Sequence, residues 1–212
     1  MSREIKCDPN RPEGKTIDTI IIALNGKKII VLPTETQYAL SIRADESALK
    51  KIEQIKKRNM DSKPALFVKD LDMAEKFCII NKTARHLADK FLPGPLTLIV
   101  PERIGQDFIS SEYKSEFGFG LRLSSSRVIE AVMAGMDRPV TATSANISGQ
   151  DSSSDINEIR RDLSDNVDLY VDAGQCRGIM PSTVVWVGDG TKVLRPGIIP
   201  VSAIEKALAE IN

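Results

Sequence analysis

Pro139-Val140-Thr141-Ala142-Thr143-Ser144-Ala145-Asn146-Ile147-Ser148-Gly149 combines two kinds of sequence in one stretch. Val140 to Thr143 is a β-branched run, and the loop after it is made of hydroxyls and an amide, which is how a strand delivers a ligand-reading loop. Asn146 offers both a donor and an acceptor, each serine hydroxyl serves either way, and Gly149 lets a backbone come close to a ligand. Taken by itself, Ser144 to Gly149 also reads as a plain turn. Upstream, Arg127 to Ala134 has helical periodicity and reaches the strand through Gly135. The unit is therefore helix, strand, polar loop.

The same alternation runs outward in both directions. Ile17 to Leu24 reads as an amphipathic helix stopped by Asn25-Gly26. Lys28 to Leu32 is a short strand ending at Pro33. Asp45 is placed to cap a helix carrying Ala48, Leu49, Ile52 and Ile55 on one face. Ala65 to Lys69 reads as a strand and Thr83 to Leu92 as a helix ended by Pro93-Gly94-Pro95. Strands follow at Leu96 to Val100 and Phe119 to Leu123. Ile156 to Leu163 is helical with Asp155 as its cap. The strands Leu169 to Val171, Thr183 to Val187 and Lys192 to Leu194 are expected to close the sheet, before a last helix at Ala203 to Ile211. There is no repeat, linker or composition shift. The expectation is an α/β fold, a single domain over residues 1–212, with a twisted, open, mixed β-sheet flanked by helices.

With 212 residues and 42% hydrophobic content the chain can bury a full core. Its 29 basic residues balance 29 acidic ones, so an anionic ligand must be met by a local cluster, not by a global field. The three cysteines, Cys7, Cys78 and Cys176, have no metal-site spacing and no even pairing, which fits reduced thiols in the cytoplasm. No secretory leader and no membrane-spanning run is visible. His86 is the single histidine and sits in a helical pattern. Ser-His-Asp catalysis and multi-histidine metal sites are thereby disfavoured, and His86 reads as structural.

Two motifs fail on inspection. Gly14-Lys15-Thr16 resembles the end of a phosphate-binding loop, but Pro9 stands where its first glycine belongs, so a helix start is the better reading. Gly118-Phe119-Gly120 lacks the third glycine of a dinucleotide fingerprint. The basic run Lys56-Lys57-Arg58 has two readings. Cations at a helix C-terminus are stabilised by its dipole, and the same cations can grip a phosphate. Arg122 lies opposite Leu121 and Leu123 on an alternating strand, facing either solvent or a cavity with an anionic partner. Arg195, before Pro196-Gly197, poses the same choice, and Ser182-Thr183 opens a strand that β-propensity alone would explain.

Several of these segments recur in a known order: Pro33-Thr34-Glu35-Thr36 with Tyr38-Ala39-Leu40, Lys56-Lys57-Arg58, Phe91-Leu92-Pro93-Gly94-Pro95-Leu96-Thr97, Ser144 to Gly149, Pro181-Ser182-Thr183-Val184, and Leu194-Arg195-Pro196-Gly197. Together they resemble the YrdC/YciO family, from about Ile17 to about Ile199. The resemblance implies a concave, basic cavity and a threonylcarbamoyl-AMP synthase. That reaction takes L-threonine, bicarbonate or CO2, and ATP with Mg2+, and yields L-threonylcarbamoyladenylate and pyrophosphate. A tRNA threonylcarbamoyl transferase complex would then use the product to modify tRNA. It further implies that Thr34, Thr36, Arg122 and Ser182 bind threonine, and that Lys56, Arg58, Ser144, Asn146 and Arg195 bind ATP, with no covalent catalytic residue or metal ligand. Such chemistry asks for positioning and positive charge around phosphate.

This chain departs from the family pattern at Asn59 (a proline is usual), Val68 (histidine in some synthases), Thr143 (proline) and Pro181 (glutamate). Pro181 and the residues before Ile17 lean toward the YciO branch, while Ser144-Ala145-Asn146 leans toward the synthases. The alternative function is binding of double-stranded RNA or tRNA without synthase activity. An aromatic content of 5% and zero net charge favour the enzyme over an RNA surface.

Overall fold

The computed structural model describes residues 2–56, 63–150, 153–176, 178 and 180–211. In chain order its strands are β1 (Arg3–Lys6), β2 (Ile30–Leu32), β3 (Ala39–Ser41), β4 (Ala65–Phe67), β5 (Leu96–Val100), β6 (Phe119–Arg122), β7 (Val140–Ser144), β8 (Leu169–Asp172), β9 (Thr183–Val187) and β10 (Thr191–Arg195). Its helices are α1 (Gly14–Asn25), α2 (Ala48–Lys56), α3 (Leu71–Glu75), α4 (Lys82–Phe91), α5 (Arg127–Ala134), α6 (Ile156–Leu163) and α7 (Val201–Ala209). Among the described residues the strands form one 10-stranded sheet in the order β1-β8-β2-β3-β7-β4-β6-β5-β9-β10. Parallel pairs (β1–β8, β2–β8, β4–β6, β5–β9) mix with antiparallel ones, and the sheet stays open at β1 and β10.

The last three strands join the sheet at two separate places. β8 lies between β1 and β2, whereas the β9–β10 hairpin docks on β5 at the far edge. Burial explains the split. Leu169, Tyr170 and Val171 are all buried, a continuous apolar run that calls for a neighbour on each side. β10 is exposed or half-buried along its length, as an edge strand should be.

Small and bulky residues alternate on the central strands, and this shapes the site. Leu66, Leu98, Leu121 and Val185 lie in register on one face, none more than 1% exposed. Burying each leucine there contributes roughly 1.5–3 kcal/mol before the entropy of ordering is counted. The other face carries Ala39, Ala65, Ala142, Gly120 and Thr97, which leave a hollow above the sheet. At Gly120 a β-carbon would already press within 3.3 Å of Ala65 Cα.

Local signals account for most helix ends. Asn81 and Asp155 cap α4 and α6 by accepting from Ala84 N and Asn157 N, and Asp70 caps the short α3. α1 starts at Gly14, so Gly14-Lys15-Thr16 is a helix start, as read. It stops at Asn25, but the left-handed conformation falls on Lys27 (φ 58°) and not on Gly26 (φ −75°). Asp45 does not cap α2 directly. Its side chain closes a turn on Ser47 N (2.9 Å), its carbonyl accepts from Ala48 N and from the Tyr113 hydroxyl, and it pairs with Lys27. His86 joins α4 to α7, with Nε2 2.9 Å from the Ala207 carbonyl, away from the hollow.

Candidate functional site

The hollow is a cavity of about 870 Å³. Of the residues singled out in the sequence, Thr36, Lys56, Arg122, Ser144, Asn146, Ser182 and Arg195 all line it. They come from the β2–β3 loop and from α2, β6, β7, β9 and β10, so only the tertiary fold brings them together. Thr34 lies one layer behind the wall. Its hydroxyl donates to the Gln37 carbonyl (2.6 Å), accepts from the Thr36 and Gln37 amides and pairs with the Thr36 hydroxyl (2.9 Å), so it shapes the loop that presents Thr36. Arg58 lies outside the described residues.

At one end, Lys56 closes α2 and is 5% exposed, which sets aside the picture of a solvated basic last turn. A buried ammonium needs acceptors. Lys56 Nζ donates to the Ser144 carbonyl (2.5 Å), the Ser144 hydroxyl (3.2 Å) and Asn146 Oδ1 (3.0 Å). Asn146 Oδ1 also accepts from Ser144 Oγ (2.5 Å), and its Nδ2 donates to the Gln150 carbonyl (2.6 Å). Ser148 N donates to the Lys56 carbonyl. The quoted loop is thus clasped to α2. Far from being a lightly packed tip, Asn146 is only 9% exposed.

Across the cavity, Arg122 is 8% exposed and already has partners. Its Nη2 donates to Glu35 Oε1 (2.9 Å) and to Thr36 Oγ1 (2.7 Å), and the guanidinium lies over the Phe67 ring at 5.6 Å. The other Glu35 oxygen accepts from the Ser124 hydroxyl. Arg122 Nε is buried with no hydrogen-bond partner. Beside it, Ser182 Oγ pairs with Thr97 Oγ1 (2.8 Å), and Arg195 Nη2 donates to the Ser182 carbonyl (3.0 Å) and hydroxyl (3.3 Å). Arg195 keeps open surface, yet crowding by the cavity walls, and then the positive charge of Arg122, lower its guanidinium below the ordinary arginine value. Two guanidiniums sharing one hollow define a place for anions.

Sequence reasoning quoted Glu35 and Thr97 within motifs but gave neither a role, and it passed over Ser124 and Gly178. At Gly178 a β-carbon would sit 2.2 Å from the Thr36 carbonyl, so Gly178 packs on the Thr36 backbone as only glycine allows. Cys176 is nearby. Burial, opposed by a hydrogen bond with the Thr34 backbone and aided by the Glu35 charge, pushes its thiol up to about 11. All three cysteines are free thiols.

Among the described residues no group of three histidines, cysteines or acids is placed to hold a metal, and no helix is long and apolar enough to cross a membrane. The carboxylate on the cavity wall is Glu116 at the rim, and Glu35 is already engaged.

An open mixed sheet with a basic hollow built from these motifs defines a family, and comparison with known proteins bears this out. Residues 23–197 match the Sua5/YciO/YrdC family model, described as telomere recombination, and the chain belongs to that family. A Methanocaldococcus jannaschii protein with the provisional name threonylcarbamoyl-AMP synthase is 34% identical over 186 residues, 86% of each chain. The crystal structure of Pyrococcus abyssi Sua5 complexed with L-threonine superposes with a TM-score of 0.85 at 28% identity, covering 99% of this chain and 61% of that one. The crystal structure of Escherichia coli YciO superposes with a TM-score of 0.86 at 25% identity, covering 96% of this chain and 100% of the other. The chain therefore spans the full length of YciO but only part of the longer Sua5.

Proposed function

We propose that this protein is a threonylcarbamoyl-AMP synthase, a transferase that joins L-threonine, bicarbonate and ATP into threonylcarbamoyladenylate and pyrophosphate. One observation carries the reading. A single cavity of about 870 Å³ holds a lysine–serine–asparagine clasp at one end and two arginines with paired hydroxyls at the other. That is room and chemistry for a nucleotide beside an amino acid. The threonine bound in Pyrococcus abyssi Sua5 supports the amino-acid half.

In this reading the threonine ammonium loses its proton to solvent, and the free amine condenses with bicarbonate, releasing water, to give a carbamate. Its oxygen attacks the α-phosphorus, a carbamate O–P bond forms, and the bond to the β-phosphate oxygen breaks, with the electron pair leaving on pyrophosphate. The nucleophile is already an anion, so no side chain has to deprotonate it, in keeping with a site that contains no histidine. Lys56, Ser144 and Asn146 hold the nucleotide, with Arg58 as a further phosphate contact. Arg195 faces the departing phosphates, and Thr36, Arg122 and Ser182 orient the amino acid. Mg2+ enters as part of the substrate, Mg·ATP, which brings its own phosphate oxygens as ligands. The adenylate is an activated acyl group, so a second, tRNA-acting enzyme has to consume it.

The RNA-binding alternative has less support. A hollow floored by alanine, glycine and threonine suits small ligands, whereas RNA recognition asks for an extended basic stripe and stacking aromatics. The test is pyrophosphate release with ATP, bicarbonate and each amino acid in turn. Release with threonine is expected. Absence of release with every amino acid would sink the reading.

A further inference from the structure

The charge in the cavity is divided unevenly. Arg122 lines the wall, but its partner Glu35 does not; Glu35 acts on the cavity only through Arg122. Both Glu35 oxygens are engaged, one by Arg122 and one by the Ser124 hydroxyl, and Ser124 Oγ in turn accepts from Ser126 N. The carboxylate is therefore fixed, and it fixes the guanidinium plane together with Thr36 and the Phe67 ring. On the other side, Arg195 hydrogen-bonds only to Ser182, and Lys63 on the same wall has no acidic partner among the described residues. Of the two neighbouring guanidiniums, Arg122 therefore has a fixed counter-ion. Arg195 beside it, like Lys63, has none among the described residues.

The proposed reaction, on which this inference rests, needs that division. Its two substrates both carry anionic groups but differ greatly in charge. A free amino acid is a zwitterion with no net charge, whereas a triphosphate carries several negative charges. Phosphate would bind at both guanidiniums if neither had a counter-ion, because its attraction to a bare cation grows with its own charge. A guanidinium with a fixed counter-ion still donates directional hydrogen bonds to a carboxylate, but it has lost its long-range pull on a polyanion.

We propose that Glu35 is a specificity-determining positioning residue. By pairing with Arg122 it reserves that guanidinium for the carboxylate of a zwitterionic amino acid and leaves the polyphosphate to the neighbouring Arg195. The residue does not touch either substrate; it decides which substrate Arg122 accepts.

The test uses Glu35→Gln, which keeps the shape and one acceptor oxygen but removes the charge. L-Threonine and inorganic tripolyphosphate are titrated calorimetrically into the wild-type chain and the variant, each alone and each in the presence of the other. In the wild type the two should bind without competing. In Glu35→Gln, tripolyphosphate should displace threonine and raise its apparent Kd roughly tenfold, a size appropriate to one charge-assisted contact. Glu35→Asp, which restores the charge, should restore independent binding, an outcome a purely structural role would not produce. If Glu35→Gln melts too early to titrate, Glu35→Met, similar in length and likewise uncharged, should give the same competition. Threonine and tripolyphosphate that stay independent in these variants overturn the assignment while leaving the proposed function standing. A wild-type chain that binds neither probe overturns both.

Discussion

Replacing Asn146 with alanine tests the clasp between α2 and the loop after β7. The side chain serves three partners: Lys56 Nζ at 3.0 Å, the Ser144 hydroxyl at 2.5 Å and the Gln150 carbonyl at 2.6 Å. The first contact is charge-assisted and worth roughly 1.5–3 kcal/mol, and the other two roughly 0.5–1.5 kcal/mol each. Water entering from the cavity side replaces part of this, so the net loss should be about 3 kcal/mol. For a chain of this size that lowers the melting temperature by about 6–12 °C. ATP affinity should fall at the same time, because Lys56 loses one of the acceptors that aim it. Asn146→Asp keeps an acceptor for Lys56 and should recover much of the stability, but its charge would repel triphosphate and keep ATP binding weak. Differential scanning calorimetry with ATP titration reads both effects. A melting point within about 2 °C of wild type would refute the clasp, since that is less than one such bond is worth.

Other outcomes follow from the same geometry. Arg122→Lys should raise the threonine KM roughly tenfold with little change in ATP affinity, because an ammonium cannot serve Glu35, Thr36 and a carboxylate in one plane; steady-state kinetics with each substrate varied decides it. Gly178→Ala should weaken threonine binding and lower the melting temperature together, since the new methyl group meets the Thr36 backbone. With its thiol held at about 11, Cys176 is protonated at pH 8, and the thiolate is the reacting form. Its alkylation should therefore run roughly a hundredfold slower than that of a free cysteine and keep accelerating past pH 10, as mass spectrometry over a pH series would show.

Periodicity alone revealed the long helices and the buried strands, because α4, α5 and α6 carry their apolar stripes and caps in plain view. It missed β1, whose Arg-Glu-Ile-Lys sequence has no apolar pattern and becomes a strand only by pairing with β8. β3 was hidden for a different reason: three residues behind a polar loop are too few to establish a period. In the site, residue type and motif order were enough to find the cavity-lining residues. Partners were not legible. Nothing in the sequence says that Glu35 belongs to Arg122 rather than to a ligand, because the β2–β3 loop and β6 meet only through the sheet order. The alternation of alanine, glycine and threonine with leucine on β3 to β6 was a readable sign of a hollow above the sheet.

The pairing of Arg3 with Leu169, and of Leu96 with Thr183, has a consequence for the birth of the molecule. As the chain emerges during synthesis, β1 has no neighbour until almost every other strand exists, and β5 must also wait for β9 to gain its second one. Contacts so distant in sequence make folding slow and late. The charges of Arg3, Glu4 and Lys6 help keep the waiting edge from pairing with a neighbouring chain. A nascent chain halted before Ser182 would already hold Lys56, Arg122 and Asn146 but would lack the wall that carries Ser182 and Arg195. Capacity to hold ligand therefore arrives only once β9 and β10 have been made, and it reports that the polypeptide has been extended through that hairpin.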